Sequence, residues 1–432
     1  MKKRIYKILL FSGFFLFFLS LFIFFSESTV SSAPFLTFGF VLMAIAVRGF
    51  TVAKGFAYSL WIISAVIVSI NYPQYFTSYG EFEFTRLIVP LLQIIMFGMG
   101  SQMSLNDIAG IIKAPKGVIS GVLCQFTIMP LIGISLATLF RFPPEIAAGI
   151  VLVGTSPSGL ASNVMSFLAR ANIALSVTLT AVATLLSPFI TPLLMKLLAG
   201  QMVEVNFWKM MVDIFNMVIL PIIAGLIFNL FSQAKPVRSS ILKQIPAFLL
   251  IILLKNLVSF LTLGVTVDKL MVNIFSDLSV FGFLPIIIAL MFKYFARGDR
   301  ELLNRALAFI SMLGIGIIIT VITAAGRDSL MAVGLILVLA CLLHNLSGYG
   351  IGYFVAKIVL RLPEPDCRTV ALEVGMQNGG LASGLALQMG KVATMGLAPA
   401  VFGPLMNITG SSLATWWRSR GIHGLKSEIS ES

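Results

Sequence analysis

The apolar residues of this chain are gathered into long runs that are separated by short polar segments. An α-helix needs about 20 mostly apolar residues to cross the ~30 Å hydrocarbon layer of a bilayer, and fewer where it is broken or paired. Such runs recur along the whole chain, so the pattern predicts about fourteen transmembrane helices. We place them at roughly 8–25, 35–47, 56–71, 86–103, 117–140, 145–168, 173–199, 212–232, 246–264, 278–296, 302–325, 329–360, 367–390 and 393–417.

The composition favours the same interpretation. Apolar residues make up 58% of the chain and charged residues 11%, against about 25% charged residues in soluble domains. A soluble protein of 432 residues could not bury so much apolar surface, whereas a lipid bilayer is a suitable solvent for it. We therefore predict an all-α polytopic membrane protein that has the lipid bilayer as a partner.

The basic residues, which give a net charge of +13, lie in short tracts between the apolar runs, such as Lys2-Lys3-Arg4 and 297–305. Lys and Arg accumulate in cytoplasmic loops, and this alternation holds if both termini are cytoplasmic. The loops predicted to lie outside carry mainly acids, namely Glu27, Glu81, Glu83, Glu204, Asp268 and Asp277. The pattern predicts a bacterial cytoplasmic (inner) membrane protein, and it explains the basicity without a nucleic-acid partner.

Residues 2–33 share a basic start, an apolar run and Ser-Ser-Ala with secretory signals. The apolar run from Ile8 to Phe25 is longer than a usual signal core, and Pro34 would follow the cleavage point. We therefore expect an uncleaved membrane helix here.

Two of the predicted spans contain helix breakers and polar side chains in their middle. One reads Gly154-Thr-Ser-Pro-Ser-Gly159-Leu-Ala-Ser-Asn163, and the other Glu373-Val-Gly375-Met-Gln377-Asn378-Gly379-Gly380-Leu-Ala-Ser383. Non-helical backbone at membrane depth is tolerated only where protein or a cavity surrounds it. A matched pair of interrupted spans in the two halves of a chain is typical of a transporter binding site. We predict that helices resume near Leu160 and Leu381 and that the two spans cross near the midplane.

Glu373 is predicted to be the only acidic residue well inside an apolar crossing. An unpaired carboxylate there is costly, about 2.5–3.5 kcal/mol on insertion scales, so it requires a cation. The surrounding Gln, Asn, Ser and Thr oxygens favour Na⁺, and a proton is the alternative. The positive N-terminal ends of the resumed helices favour an anionic substrate.

At these residues the chain resembles the bile acid:sodium symporter family. The resemblance covers roughly 52–235 and 300–420. Its motifs are Gly98-Met-Gly100, Gln125, Met129-Pro130, Ser162-Asn163, Leu168-Ala-Arg170, Asn172, Ala174-Leu-Ser176, Thr180, Ser187-Pro188, Leu220-Pro221, His344-Asn345 and Glu373-Val-Gly-Met-Gln-Asn378. It implies a core of ten helices in two inverted five-helix repeats, split into a panel domain and a core domain, and transport of organic anions with sodium.

The resemblance also implies functional residues. One sodium site would use Ser162, Asn163, Ser176, Thr180 and Glu373, and a second would use Gln125, Glu373, Val374, Met376 and Gln377. The substrate would contact Asn378, Leu160, Ser158 and Gly380. Where this chain has Ser158-Gly159-Leu160, the family often has Gly-Gly-Thr, so the substrate side differs here.

The domain prediction adds about four helices to the ten. We expect extra N-terminal helices in 1–50, a first repeat in 51–200, the start of the second repeat in 201–239, an inserted helix pair in 240–297, the rest of the second repeat in 298–420, and a cytoplasmic tail in 421–432. For the four additional helices the sequence indicates only packing against lipid or against another subunit. It does not indicate an oligomeric state.

The functional prediction is a sodium-coupled symporter of a small organic anion that works by alternating access. Bile acids, pantoate-like acids, keto acids and sulfated steroids are all compatible substrates. The alternatives are a proton-coupled organic anion transporter or, less favoured, a channel or a sensor that does not transport. No catalytic constellation or phosphate-binding loop is present in the sequence, so we expect neither an enzyme nor an organic cofactor.

Overall fold

The computed structural model describes residues 2–26, 31–50, 54–103, 115–232, 238–295 and 299–420. Glu27 and the predicted tail 421–432 lie outside these ranges. The helices are α1 (Lys2–Phe25), α2 (Ala33–Ala46), α3 (Ala57–Asn71), α4 (Gln74–Thr77), α5 (Ile88–Gln102), α6 (Pro115–Leu139), α7 (Pro144–Thr155), α8 (Ala161–Leu168), α9 (Ile173–Ala199), α10 (Phe207–Ser232), α11 (Arg238–Leu263), α12 (Val267–Phe295), α13 (Arg300–Ala325), α14 (Arg327–Val359), α15 (Glu364–Gly375), α16 (Gly379–Gln388) and α17 (Leu397–Ser419).

Short irregular elements complete the list. An antiparallel hairpin pairs β1 (Ser78–Tyr79) with β2 (Phe82–Glu83). Helical turns of the 3₁₀ type occupy Val47–Gly49, Lys54–Phe56 and Phe84–Leu87. Wider π-helical turns lie in α10 at Phe215–Ile219, in α12 at Leu278–Phe283 and at the end of α14 at Val355–Val359.

Every predicted apolar segment contains a helix or a pair of half-helices. Within the described residues, nine helices are long and apolar enough to cross a membrane, and the apolar helices Ala33–Gly49, Ala57–Asn71 and Pro144–Thr155 are shorter. The prediction of an all-α polytopic membrane protein is confirmed.

The helices pack in two groups. The first contains α3, α5, α10 and α13, in which α5 lies along α10 and α13, and α13 also lies along α3. The second contains α6–α9 and α14–α17. The pair α1–α2 packs through α2 on α3, and the pair α11–α12 packs on α10. Close helix approach uses glycine: a Cβ atom on Gly100 of α5 would lie 2.0 Å from the carbonyl oxygen of Ile222 in α10.

The prediction that Glu373 is the only acid inside a crossing is wrong. Asp277, predicted in an outside loop, is buried within α12, because this helix begins at Val267 rather than near residue 278. Its carboxylate accepts a bond from the buried ammonium group of Lys255 in α11 (2.6 Å) and one from the Asn256 amide (2.9 Å). Lys255 also donates to the Asn216 side chain in the π-helical turn of α10 (3.1 Å). An ion pair therefore joins the additional helices to each other and to α10.

We expect Lys255→Met to destabilise the protein by about 3–5 kcal/mol, because it leaves the Asp277 carboxylate buried without its cation. The double variant Lys255→Met/Asp277→Leu removes both charges and should recover most of that loss. Thermal unfolding in detergent measures both effects. A single variant that melts like the wild type would show that the pair contributes nothing to stability.

Candidate functional site

The two broken spans cross where their helices are interrupted. The first break separates α7 from α8, and the second separates α15 from α16. Across the crossing, the backbone N–H of Gly159 donates to the Met376 carbonyl (2.9 Å), and that of Asn378 donates to the Pro157 carbonyl (2.8 Å). Each break thus satisfies backbone groups of the other, as unwound backbone at membrane depth requires.

Local sequence explains the shape of each break. A Cβ atom on Gly159 would lie 2.8 Å from the Gln377 carbonyl oxygen, so only glycine allows this approach. The helix α16 begins at Gly379, two residues before the predicted Leu381, because the Asn378 side chain caps it by accepting from the Leu381 N–H (3.0 Å). The helix α8 begins after Leu160, as predicted, and has no side-chain cap.

The five residues of the first predicted sodium set lie together. One carboxylate oxygen of Glu373, Oε1, accepts from the hydroxyls of Ser162 (2.6 Å) and Ser176 (2.5 Å). The other, Oε2, accepts from Thr180 (2.8 Å). The Asn163 Oδ1 atom lies 2.8 Å from the Ser176 hydroxyl and 3.3 Å from the Thr180 hydroxyl. Glu373 is 2% exposed, so these oxygens form one buried polar cluster.

The second predicted set shares Glu373 with the first and includes residues of the α15 break itself. The Gln125 amide donates to the Gln377 side chain (2.5 Å) and to the Ser156 carbonyl (2.9 Å). The Gln377 amide donates to the Val374 carbonyl (2.6 Å). The Met376 carbonyl lies in the crossing itself, where it accepts from Gly159.

The four predicted substrate residues surround the same crossing. Ser158 lies opposite Gln377, and Leu160 is the residue before α8. Asn378 and Gly380 lie at the start of α16, where a Cβ atom on Gly380 would be 3.1 Å from Leu92 of α5. Asn378 therefore has a structural role as a helix cap in addition to its predicted role in binding.

Sequence reasoning did not identify several supporting residues. Ser166 contacts Ser176 (3.1 Å) and follows Ser162 by one helical turn, a spacing that could have revealed it. Arg368, at the start of the predicted span 367–390, is buried in α15 and donates to the carbonyl of Ala169 after α8 (3.1 Å). Asn345 donates to the last carbonyl of α15, that of Gly375 (2.8 Å).

Polar contacts at two places hold the far ends of the broken helices. Near the start of α7, Glu145 pairs with Lys391 and accepts from the Thr394 hydroxyl (2.6 Å) in the segment after α16. Near the start of α15, Asp366 accepts from the Asn172 amide (2.8 Å) in the segment after α8. Each broken helix is thus tied to the other at both membrane faces.

The donor atoms fit a hard monovalent cation, because they are carboxylate, hydroxyl, amide and carbonyl oxygens. Within the described residues, Gln125 Oε1 is a buried oxygen without a hydrogen-bond partner. Buried polar atoms are normally satisfied, so this oxygen of the second set indicates a place for a ligand. The residues present therefore fit the sodium sets that the sequence predicts.

Comparison with known proteins identifies the family of the chain. The model of the sodium bile acid symporter family matches residues 89–271. The uncharacterized sodium-dependent transporter YocS of Bacillus subtilis (strain 168) is 32% identical over 367 residues, which are 85% of this chain and 92% of that protein. The chain belongs to the sodium bile acid symporter family. The probable sodium/metabolite cotransporter BASS1 of Arabidopsis thaliana chloroplasts is 29% identical over 84% of this chain and 73% of its own length.

Membership of this family makes the chain a sodium-dependent transporter and not an enzyme. The family match begins in α5 and ends in α12, so it extends through α11, the first of the two helices that we predict to be inserted. The predicted division into repeats and insertions stays a prediction.

We expect Gly159→Ala to destabilise the protein by about 1–3 kcal/mol, because the new methyl group must displace the Gln377 backbone. The crossing would shift, and the stabilisation by sodium should fall with it. Gly350→Ala is the matched control, since a Cβ atom there meets nothing within 4 Å. Equal melting temperatures of the two variants, with and without sodium, would contradict the close approach at the crossing.

Proposed function

We propose that this transporter couples the movement of sodium down its gradient to the movement of a small organic anion by alternating access. The observation that carries the proposal is the buried Glu373 carboxylate, which lies at the crossing of two broken helices among neutral oxygen donors. The hydroxyl groups of Ser162, Ser176 and Thr180 contact both carboxylate oxygens and supply neutral oxygen ligands of the kind that a hard metal cation prefers.

The two oxygen sets would hold two sodium ions that share Glu373. Ser162, Asn163, Ser176 and Thr180 would complete one shell, while Gln125, Gln377 and the carbonyls of Val374 and Met376 would complete the other. Sodium would neutralise the carboxylate and order the unwound segments. The substrate anion would then bind beside Ser158, Leu160, Asn378 and Gly380, close to the N-terminal ends of α8 and α16.

The packing groups suggest which parts move. We assign α3, α5, α10 and α13 to a panel domain, and α6–α9 with α14–α17 to a core domain. Rocking of the core against the panel would change which side of the crossing is open. The charge distribution along the chain favours a cytoplasmic membrane with both termini in the cytoplasm.

The direct test is thermal unfolding of the purified protein with and without sodium. A ligand present at 100 times its Kd stabilises the folded state by about 2.7 kcal/mol. We expect Na⁺ but not K⁺ to raise the melting temperature of the wild type, and Glu373→Ala to abolish the shift. Glu204→Ala, which changes an exposed acid, should keep it. If acid pH stabilises through Glu373 while Na⁺ does nothing, the protein is proton-coupled instead.

The number of sodium ions bound can be determined with two variants, each of which alters only one of the two oxygen sets. Thr180→Val removes a hydroxyl from the first set, and Gln125→Leu removes the unpartnered oxygen from the second. We expect the stabilisation of the wild type to depend cooperatively on sodium concentration, and each variant to show a shallower, single-site curve. A wild-type curve that already fits one site would exclude the shared arrangement.

A further inference from the structure

The two resumed half-helices, α8 and α16, have different surroundings. The shorter one, α8, packs on α9, α15 and α17 of its own group, and its Val164 and Phe167 are 57% and 65% exposed. By contrast, α16 also packs on α5, α10 and α13 of the other group. On the side of the crossing where α16 lies, the two groups of helices are therefore in direct contact, which closes the crossing against the panel domain.

One face of α16 makes this closure. Gly380 and Gly384 lie one turn apart on it and bring the helix backbone against the panel. A Cβ atom on Gly384 would lie 2.9 Å from Leu92 of α5 and 3.0 Å from Met217 of α10. Leu92 is fully buried at this contact.

At the C-terminal end of the same face, α16 makes an electrostatic contact with α10. The carbonyl of Gln388, one further turn along α16, accepts from the ammonium group of Lys209 in α10 (2.8 Å). Asp213, in the next turn of α10, holds Lys209 at 3.7 Å. Carbonyls at the end of a helix carry partial negative charge, so a cation from the panel stabilises the end of α16.

At the opposite end of the same interface lies a cavity of about 150 Å³. Thr184 and Leu185 of α9 line it on one side, and Met103 of α5 and Leu226 of α10 line it on the other. The additional helix α11 also contributes to its wall, through Phe248 and its neighbours. Leu226 follows Lys209 by 17 residues along α10, which corresponds to about 25 Å of helix. The interface is thus closed by direct contact at the Lys209 end and less closely packed at the Leu226 end, where the cavity lies.

We propose that the contact of Lys209 with the end of α16, together with the glycine face of α16 on Leu92 and Met217, is the closed gate of this transporter. The structure then represents the state that opens at the Leu226 end, which is the cytoplasmic end in the predicted orientation. Opening at the other end requires the Lys209–Gln388 contact to break. This inference rests on the proposed alternating access, and it names the residues that close one side of the transporter.

Two cysteine reporters at opposite ends of the interface test the gate, in a background where Cys124, Cys341 and Cys367 are replaced by serine. Leu92→Cys reports on the gate, and Leu185→Cys, which is 37% exposed in the wild type, reports on the cavity. The measurement is the rate of reaction with a water-soluble maleimide at constant sodium concentration, so no substrate is needed. We first require that the cysteine-free protein keeps its melting temperature.

Lys209→Met should raise the labelling rate at the gate reporter about two- to fivefold, the range for a cation at a helix end, and lower the rate at the cavity reporter. Gly384→Leu should shift both rates further in the same directions, because it wedges α16 away from the panel. Lys209→Arg keeps the charge, and Lys269→Met changes an exposed lysine outside this interface. Both controls should match the wild type.

Opposite changes at the two reporters support the gate. Unchanged rates in Lys209→Met, or rates that rise together at both reporters, overturn it. The melting test with Glu373→Ala separates this result from the proposed function, because the loss of sodium stabilisation and the response of the reporters are independent readouts.

Discussion

The constraint on which the rest of the site depends is a carboxylate buried at membrane depth. Glu373 is stabilised there by hydroxyl donors from two other helices, since Ser162 lies in α8 and Ser176 and Thr180 lie in α9. Donors from separate helices can converge on one carboxylate only if those helices are held in a fixed arrangement. The polar cluster therefore forms only when the surrounding helices are packed correctly, so the two depend on each other.

Interrupting two helices at the same depth creates a second requirement, because each break exposes backbone groups that lipid cannot satisfy. The chain meets it by pairing the breaks with each other through the backbones of Gly159 and Asn378. Polar contacts at the far ends, such as Glu145 with Thr394 and Asp366 with Asn172, hold the broken helices together at both faces. The two broken helices are consequently held to each other at the crossing and at their ends.

The additional helices α11 and α12 contain a second buried charge, the Lys255–Asp277 pair. It differs from the Glu373 cluster because the protein supplies its own cation. A self-neutralised pair leaves no vacancy for a mobile ion and instead attaches these helices to Asn216 of α10. The chain thus offsets the cost of burying a carboxylate in two ways. The Glu373 cluster is suited to ion binding, and the Lys255–Asp277 pair attaches the additional helices to α10.

The sequence by itself predicted the membrane class, the approximate helix positions and the two broken spans, because hydrophobic runs and helix breakers are local signals. It also placed the Glu373 carboxylate beside the second break, since a charged residue within an apolar run is visible in the sequence alone. The tertiary structure decided what depends on distance between remote segments. Asp277 was misplaced because the polar turns that begin α12 resemble a loop. The buried bond from Arg368 to the Ala169 carbonyl could not be foreseen, because the two residues are 199 positions apart in the chain. The asymmetry between α8 and α16 was likewise invisible in their shared Gly-Leu-Ala-Ser motif, since it arises from which helices pack against each of them.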